Sequence, residues 1–453
     1  MYLDLSFFDG FNSFWTYAGI GALSLTIILF VFGSCSRAFR AITFYYIKVL
    51  RSSFVISFMC LLKPFTKGSS PTDFAQKWVK KHQYPNQDTT IETSSDFSGG
   101  MRSSLVKLTI KTTDESNPSP QHVVVKYLPH KYKAILSSLL LDTSKEAKFY
   151  QHFQQQAASV IPNVYYSHAN MSTGVYTIIM EDLSDSFLVG KILGNQCWGE
   201  VDVPAEFDFD HTELINHVFL TIADLHSTFW NDSSLFKHKF LKNTDHCQGK
   251  GRNRFEFGVY SIKSKWNAIC KATAKGTMTF KWSPTVVKAI NTLFSNSSWK
   301  QYRSSLTKQP YTLVHQDFHP NNMMIDRNRK LSIFDWSEAG VGCPFSDLSQ
   351  WMISHVDPEL RRRIERTVVR NYYDKLVENG VDVPSFEQCF QYYIVGGIER
   401  WLQMLIIMGH FYRLGGLPEY GLQFFYDQVE AFVSDHFNSC DELVLIKTMY
   451  CLE

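Results

Sequence analysis

The sequence predicts an α+β protein in which a small β-rich region precedes a large helical region, with an apolar span ahead of both. Three observations predict this class. Runs rich in Val, Ile and Thr, which favour strands, lie between positions 105 and 180. Apolar residues recur at helical spacing over most of 358–453. Residues 10–36 contain no charged side chain, and a stretch of that length can cross a hydrocarbon core of about 30 Å as a helix.

The span at 15–34 is predicted to be an uncleaved transmembrane anchor. The short tail before it, residues 1–14, has no Lys or Arg, whereas a signal peptide begins with positive charge and has a shorter apolar run. The segment that follows, 35–88, is interpreted as a basic juxtamembrane segment and linker. By the positive-inside rule, its cations place the rest of this single-pass chain in the cytosol. These cations are Arg37, Arg40, Lys48, Arg51, Lys63 and Lys67.

Two features leave the membrane topology partly open. Residues 41–62 are apolar but contain Lys48 and Arg51. They suit a helix in the headgroup region, or a second crossing at about 2.5–3.5 kcal/mol for each central cation. Three Asn-x-Ser/Thr triplets would instead suit a lumenal domain: Asn170, Asn231 and Asn296.

Strands and one helix are predicted between residues 89 and 183. The runs at 105–110, 122–128 and 176–180 are rich in residues that favour strands. Residues 139–155 carry apolar side chains at helical spacing and predict a helix. Beyond this region, helical periodicity is clear at 214–230, whereas 240–310 is polar, rich in Lys and less regular. The last part of the chain predicts three helices, at 359–379, 385–414 and 420–436.

The most informative segment is 313–336. It contains His315-x-Asp317 and then Asn322, and Asp335 follows 13 positions after Asn322. Transfer of a γ-phosphoryl group needs a carboxylate to accept the proton of the attacking hydroxyl and oxygen ligands to hold Mg²⁺ against the phosphates. Asp317 fits the first role, Asn322 and Asp335 fit the second, and His315 is expected to hold the loop in shape.

The residues around this segment predict how its polar groups meet. The runs at 311–314, 323–325 and 331–334 predict short buried strands, and the polar stretch 326–330 predicts a hairpin turn. A hairpin brings its two ends together, so the residues before and after it are expected to converge on one cation.

A phosphotransferase also needs groups for the nucleotide. Lys126, at the end of a β-branched run, is the candidate for the phosphates, and Glu146, in the first turn of a helix, is its candidate partner. A loop with Ser98, Gly99 and Gly100 is the candidate phosphate cover, although it lacks a full G-x-G-x-x-G and a plain hairpin turn is the alternative. Met180 and Glu181 are the candidates for the adenine slot and the hinge.

These residues resemble the aminoglycoside phosphotransferase and choline kinase-like superfamily, which has the patterns H-G-D-x-H-P-x-N, I-D-W-x-x-A-G and P-x-x-D-L. The matching segments are His315-Gln-Asp-Phe-His-Pro-Asn-Asn322, Ile333-Phe-Asp-Trp-Ser-Glu-Ala-Gly340 and Pro344-Phe-Ser-Asp-Leu348. One departure is Gln316, where the family has Gly.

The resemblance implies a bilobal protein-kinase-like fold, with a β-rich N-lobe at 89–183 and a helical C-lobe at 184–453 that forms the substrate region. It also implies ATP and Mg²⁺ as cofactors and a hydroxyl of a small molecule as the acceptor. Asp317 would be the catalytic base, and Asp347 would brace the catalytic loop.

Composition excludes several other classes. The net charge of +2 is spread along the chain without a basic stripe, which excludes nucleic acid as a partner. The 9 cysteines are scattered and form no C-x-x-C pair, as expected in a reducing compartment. No obligate protein partner is evident.

Two alternatives stay open. The chain could be a non-catalytic nucleotide-binding or scaffold pseudokinase, although the polar residues of catalysis are present. A protein kinase is less favoured, because no Ala-Pro-Glu follows Asp335 and because Phe334-Asp-Trp336 replaces the Asp-Phe-Gly of that class.

Overall fold

The described part of the protein excludes most of its N-terminal region. The computed structural model describes residues 43, 45–52, 71–82, 89–97, 104–112, 122–128, 132–193 and 202–437. Within these residues no helix is long and apolar enough to cross a membrane. The predicted anchor at 15–34 and most of 41–62 lie outside the described residues.

The chain forms two compact units. Among the described residues, the larger unit lies within 52–248 and 306–400, and the smaller comprises 43, 45–51, 249–305 and 401–437. The lobe boundaries predicted above, 89–183 and 184–453, stay a prediction.

The ten strands found among the described residues all lie in the larger unit. They are β1 (Thr89–Phe97), β2 (Ser104–Thr112), β3 (His122–Tyr127), β4 (Val164–Asn170), β5 (Val175–Glu181), β6 (Phe187–Leu188), β7 (Thr312–Val314), β8 (Met323–Ile325), β9 (Leu331–Ile333) and β10 (Gly340–Gly342).

The described α-helices are α1 (Pro71–His82), α2 (Tyr132–Leu141), α3 (Lys145–Phe153), α4 (Val189–Ile192), α5 (His211–Thr228), α6 (Thr244–Cys247), α7 (Arg252–Ala274), α8 (Pro284–Asn296), α9 (Trp299–Lys308), α10 (Pro344–His355), α11 (Pro358–Glu378), α12 (Phe386–Arg413) and α13 (Glu419–His436). A sheet region followed by mainly helical structure confirms the predicted α+β class.

The main sheet has five antiparallel strands in the order β1-β2-β3-β5-β4. Its two faces follow from strand alternation. Val123, Val125 and Ile179 point into a core shared with Trp78 of α1. Lys126 and its neighbours in register therefore lie on the opposite face, which leaves that face available for a site.

The helix predicted at 139–155 is two helices, so the single-helix prediction is wrong. Asp142 has a φ of +56°, a left-handed conformation that cannot continue an α-helix. The Thr143 N–H donates to the Ser138 carbonyl at 3.2 Å and closes α2. α3 then begins at Lys145, which places Glu146 in its first turn.

The predicted hairpin is confirmed. Strands β8 and β9 pair antiparallel, with Met323 opposite Ile333. The turn is held by Asp326, whose Oδ1 accepts the N–H groups of Asn328 at 2.9 Å and Lys330 at 2.7 Å. Asp326 is therefore the residue that closes the turn, in the way Asp side chains commonly do.

The prediction of less regular structure at 240–310 is wrong, because α7 alone spans 23 residues there. Many of its apolar residues are only partly buried or exposed. The fully buried apolar side chains of α7 are Trp266, Ile269 and Ala272. A helix with so narrow an apolar stripe gives a weak periodic signal.

The smaller unit is helical in its described part. The Ser283 hydroxyl caps α8 by accepting the Val286 N–H at 3.3 Å. The Ser283 N–H in turn donates to the Tyr426 hydroxyl of α13 at 2.7 Å. These bonds fix the start of α8 against α13.

Candidate functional site

The two ends of the β8–β9 hairpin meet, as the sequence predicted. The Phe334 N–H donates to the Asn322 carbonyl at 3.0 Å. Asp335 follows with a φ of +59°, a left-handed conformation that few residues other than Gly adopt readily. That turn separates Asp335 from the strand and leaves its side chain 40% exposed.

Lys126 joins three elements through its ammonium group. Its Nζ lies 2.6 Å from Glu146 Oε2 on α3 and 3.5 Å from Asp335 Oδ1. Burial alone would lower the pKa of Lys126, but the two carboxylates outweigh it and raise the pKa above its ordinary value. The lysine therefore stays charged, in contact with the helix and with the end of the hairpin.

Met180 and Glu181 lie at the end of β5. In the sheet register Lys126 is opposite Ile178, and Val124 is opposite Met180, so Met180 shares the face that carries Lys126. The side chain of Glu181 accepts a hydrogen bond from Asn163 Nδ2 at 2.6 Å and lies 3.4 Å from Lys330 Nζ. Only Met180 of this pair is brought to the Lys126 face. The predicted phosphate cover, Ser98, Gly99 and Gly100, lies outside the described residues.

The loop that begins at His315 is held by Asp347, in the first turn of α10. Its Oδ2 accepts the His315 N–H at 2.7 Å and its Oδ1 accepts the Gln316 N–H at 3.1 Å. Burial raises the pKa of Asp347 to about 7. The contact geometry is that of a brace on the main chain, the position that the resemblance implied for this residue.

His315 fixes the loop from its other side. Its Nδ1 accepts the Asp317 N–H at 3.3 Å, so Nε2 carries the proton and donates to the Phe334 carbonyl at 3.0 Å. Burial lowers the pKa of His315, which favours this neutral tautomer. The ring also packs on Trp336, with centroids 4.6 Å apart.

Asp317 has three polar neighbours. Its Oδ1 lies 3.3 Å from Arg400 Nη2, and its Oδ2 lies 3.6 Å from His319 Nε2. The Asn322 Nδ2 donates to the Asp317 carbonyl at 2.9 Å and is 3.4 Å from Oδ2. Burial alone would raise the pKa of Asp317, but His319 and Arg400 outweigh it and hold the pKa below its usual range. The carboxylate is therefore ionised.

Sequence reasoning gave no role to two of these neighbours. His319 stands within the quoted motif, two positions after Asp317, and could have been assigned from it. Arg400 lies 83 positions after Asp317 in a long helix. No local pattern could have found it, because only the packing of that helix brings it to the loop.

Gln316 occupies a left-handed position, with a φ of +62°. This conformation explains the Gly of the family pattern, since Gly reaches it without steric cost. The Gln316 side chain lies over Gly340, where an added Cβ would be 2.4 Å from Gln316 Nε2. The bulk that replaces the loop glycine is therefore accommodated by a glycine opposite.

The donor set fits the predicted Mg²⁺ site. Asn322 uses its Nδ2 on Asp317, which directs its carbonyl oxygen elsewhere, and Asp335 offers a partly exposed carboxylate. Among the described residues no three His, Cys, Asp or Glu side chains form a metal-binding group. Mg²⁺ bound with a nucleotide needs only one or two carboxylates, because phosphates and waters complete its octahedron.

Comparison with known proteins identifies the family of the chain. The model of the ecdysteroid kinase-like family matches residues 99–383, which include the candidate residues from Gly99 to Asp347. No curated protein matches the chain significantly.

Several solved structures match with low similarity. A choline/ethanolamine kinase family protein from Mesorhizobium loti is 12% identical, with 84% of this chain and 100% of that chain covered and a TM-score of 0.42. An ethanolamine kinase from Plasmodium vivax is 13% identical, with 85% and 93% covered and a TM-score of 0.44. A choline kinase from Streptococcus pneumoniae is 13% identical, with 80% and 99% covered and a TM-score of 0.40. Similarity at this level decides neither substrate nor mechanism.

Proposed function

The chain belongs to the ecdysteroid kinase-like family, and from this premise we propose that it is an ATP- and Mg²⁺-dependent phosphotransferase. It transfers the γ-phosphoryl group to a hydroxyl of a small molecule. The observation that carries the proposal is the convergence of Lys126, Glu146 and Asp335 beside the loop of Asp317 and Asn322.

The proposed reaction is a single displacement. The acceptor hydroxyl lies against Asp317 and gives its proton to that carboxylate as the acceptor oxygen bonds to the γ-phosphorus. The bond from the γ-phosphorus to its bridging oxygen breaks, and ADP leaves with that oxygen. Asp317 contributes mainly by orientation, since a carboxylate of low pKa accepts the proton late in the displacement.

The remaining residues supply position and charge. Lys126 neutralises nucleotide phosphates, and Glu146 holds it on the open face of the sheet. Mg²⁺, when bound by Asn322 and Asp335, supplies the positive charge that offsets the charge on the phosphates. Asp347 and His315 keep the loop in the shape that presents Asp317.

The acceptor is proposed to be an alcohol of low molecular weight, with steroid-like alcohols first because of the family description. The test incubates the protein with radiolabelled ATP, Mg²⁺ and one candidate acceptor at a time. The acceptors are an ecdysteroid, a sterol, choline, ethanolamine, a sugar and an aminoglycoside. The test compares the parent with Asp317→Ala.

We expect label in one acceptor with the parent and loss by about 100-fold or more in Asp317→Ala, because a positioned base contributes about 10²–10⁴ to the rate. Binding of Mg-ATP should remain in the variant. Nucleotide binding with no labelled product in a full metabolite extract would favour the non-catalytic alternative.

We also propose that residues 15–34 anchor the protein in a membrane with the part of the chain after residue 34 in the cytosol. The uncharged span and the cations after it support this orientation. The cytosol also supplies ATP and Mg²⁺ to the site.

A further inference from the structure

We propose that Arg400 is a positioning residue on the acceptor side of this site. The contact of Gly396 and Gly397 with α10 sets the distance between the Arg400 guanidinium and the Asp317 carboxylate. The guanidinium would hold the Asp317 carboxylate in the rotamer that receives the acceptor hydroxyl. The inference rests on the proposed function, in which Asp317 is the base.

The first observation is how the Asp317 carboxylate is held. Arg400 contacts Oδ1 at 3.3 Å, while His319 and the Asn322 amide approach Oδ2 at 3.6 and 3.4 Å. A carboxylate has about four acceptor positions, so these contacts orient it and still leave a lone pair for a hydroxyl. Of the three, only Arg400 comes from outside the loop and can set the angle of the side chain independently.

The second observation is the close approach of α12 to α10. A Cβ on Gly396 would lie 2.0 Å from Ser346 Oγ and 2.9 Å from Ser346 Cα. A Cβ on Gly397 would lie 2.2 Å from Ser349 Oγ and 2.8 Å from the Gln350 backbone nitrogen. Contacts with main-chain atoms cannot be relieved by a rotamer change, so any side chain here pushes the helices apart.

The third observation is the spacing along α12. Arg400 follows Gly396 by four positions and Gly397 by three, so all three lie on one face of the helix. The side of α12 that presses on α10 therefore also directs Arg400. Separation of the two helices would withdraw the guanidinium from Asp317.

The fourth observation is that α10 supports the site at several points. It carries Asp347, which holds the loop main chain, and His355, whose ring stacks on His319 with centroids 6.2 Å apart. It also packs against Gly396 and Gly397 of α12, the helix that carries Arg400. Helix α10 therefore contacts both the loop of Asp317 and the helix that carries Arg400. The packing of α10 against these two elements sets the distance between Asp317 and Arg400.

The test uses the full chain and measures phosphate released from ATP with water as acceptor. A second arm measures transfer to the alcohol that the parent phosphorylates in the screen above. Arg400→Ala should lower kcat by about 100-fold, the effect of misplacing a reacting group by about 1 Å. The KM for ATP and the thermal shift with Mg-ATP should stay unchanged. Arg400→Lys should retain part of the activity, and added guanidinium should restore part of it to Arg400→Ala.

The glycine contact is tested with a matched pair of helical substitutions. Gly397→Ala should lower kcat as Arg400→Ala does, whereas Gly258→Ala, where an added Cβ meets nothing within 4 Å, should leave kcat unchanged. The double variant Arg400→Ala/Gly397→Ala should lose no more kcat than either single variant, since both act through one contact.

Three outcomes would overturn the inference: kcat of Arg400→Ala within twofold of the parent, no rescue by guanidinium, or additive losses in the double variant. Asp317→Ala in the same assay separates this failure from that of the proposed function. If Asp317→Ala abolishes transfer and Arg400→Ala does not, only the role of Arg400 fails. If neither affects transfer, the base assignment fails with it.

Discussion

At the scale of single residues, the site depends on charges that are buried together with their counter-charges. Lys126 is 15% exposed and Glu146 only 2%, and their side chains are 2.6 Å apart. Removing Lys126 would leave Glu146 without its counter-charge, and breaking a buried pair in this way costs about 3–5 kcal/mol. Asp335 is different, because it is 40% exposed and can lose its side chain without leaving a buried charge in a closed site.

The exposure of Asp335 makes its variant a clean test of metal binding. Asp335→Ala should keep the fold but lose the Mg²⁺-dependent part of nucleotide binding, because one of two proposed protein ligands is gone. Thermal shift with Mg-ATP against ATP plus EDTA measures this part. As a control, Arg366→Lys, which alters an exposed ion pair with Glu387, should bind Mg-ATP as the parent does. An unchanged Mg²⁺-dependent shift in Asp335→Ala would count against the assignment.

His226 gives the protein a predictable sensitivity to acid. It is fully buried, its Nδ1 lies 2.8 Å from the Tyr372 hydroxyl, and burial lowers its pKa from 6.5 to about 3. Between these values the unfolded chain binds a proton that the folded chain does not. The contribution of His226 to stability is therefore present above pH 6.5 and falls as the pH falls from 6.5 to about 3.

The expected slope from this one group approaches about 1.4 kcal/mol per pH unit. Urea unfolding at several pH values between 7.5 and 4 measures it. His226→Gln should be less stable at neutral pH but should show a shallower dependence on pH by about that amount. A slope equal to that of the parent would show that other groups dominate.

At the scale of elements, strand β10 packs closely against the segment around Lys242 in the larger unit. Gly340 pairs with Lys242 in a parallel bridge, and the Lys242 side chain forms an ion pair with Glu338. A Cβ on Gly340 would lie 2.7 Å from Lys242 Cβ and 2.8 Å from the Lys242 carbonyl oxygen. The Lys242 segment therefore sits against a strand that tolerates no side chain at this position.

Gly340→Ala should accordingly destabilise the protein by about 1–3 kcal/mol, the cost of overpacking. Gly342→Ala, two positions along the same strand, is the matched variant, because an added Cβ would lie 3.2 Å from Val314 Cγ2 and would meet no main-chain atom among its nearest contacts. Its loss should be smaller. Equal losses in urea unfolding would mean that strand propensity, not the contact with Lys242, sets the cost.

The elements also show what the sequence could and could not predict. The hairpin was predictable, because the turn residues and the polar ends of the motif are consecutive in the chain. The separation of α2 from α3 was not, since it depends on the φ of Asp142. Helix α7 was missed because its apolar face is narrow, and Arg400 because its partner is distant in sequence. Local chemistry was thus readable, and contacts made by packing were not.

At the scale of the whole molecule, the proposed anchor and the candidate site imply one membrane topology. If the span at 15–34 crosses the membrane with the following cations inside, the three Asn-x-Ser/Thr triplets stay in the cytosol. They are then never exposed to the glycosylation machinery of the secretory pathway. The same topology places residues 1–14 on the other side.

Expression of the full chain in eukaryotic cells tests this topology. The protein should remain in the membrane pellet after carbonate extraction, be released by detergent, and show no mobility change with endoglycosidase. A variant with an Asn-x-Thr triplet in a tail inserted before residue 15 should gain a glycan. Glycans on the native triplets would show that the orientation is the reverse of the one proposed. Release of the protein by carbonate would show that residues 15–34 are not a membrane anchor.

The hydrogen bonds between Asp347 and the loop main chain have a consequence for which residues the loop can contain. A carboxylate that accepts two main-chain N–H groups does not distinguish among the side chains those groups belong to. Position 316 can therefore drift away from glycine while the loop keeps its course, and Gln316 is one such exchange. A saturation library at position 316 should return Gln and the residues that best tolerate a φ of +62°, such as Gly and Asn, whereas one at position 347 should return almost only aspartate.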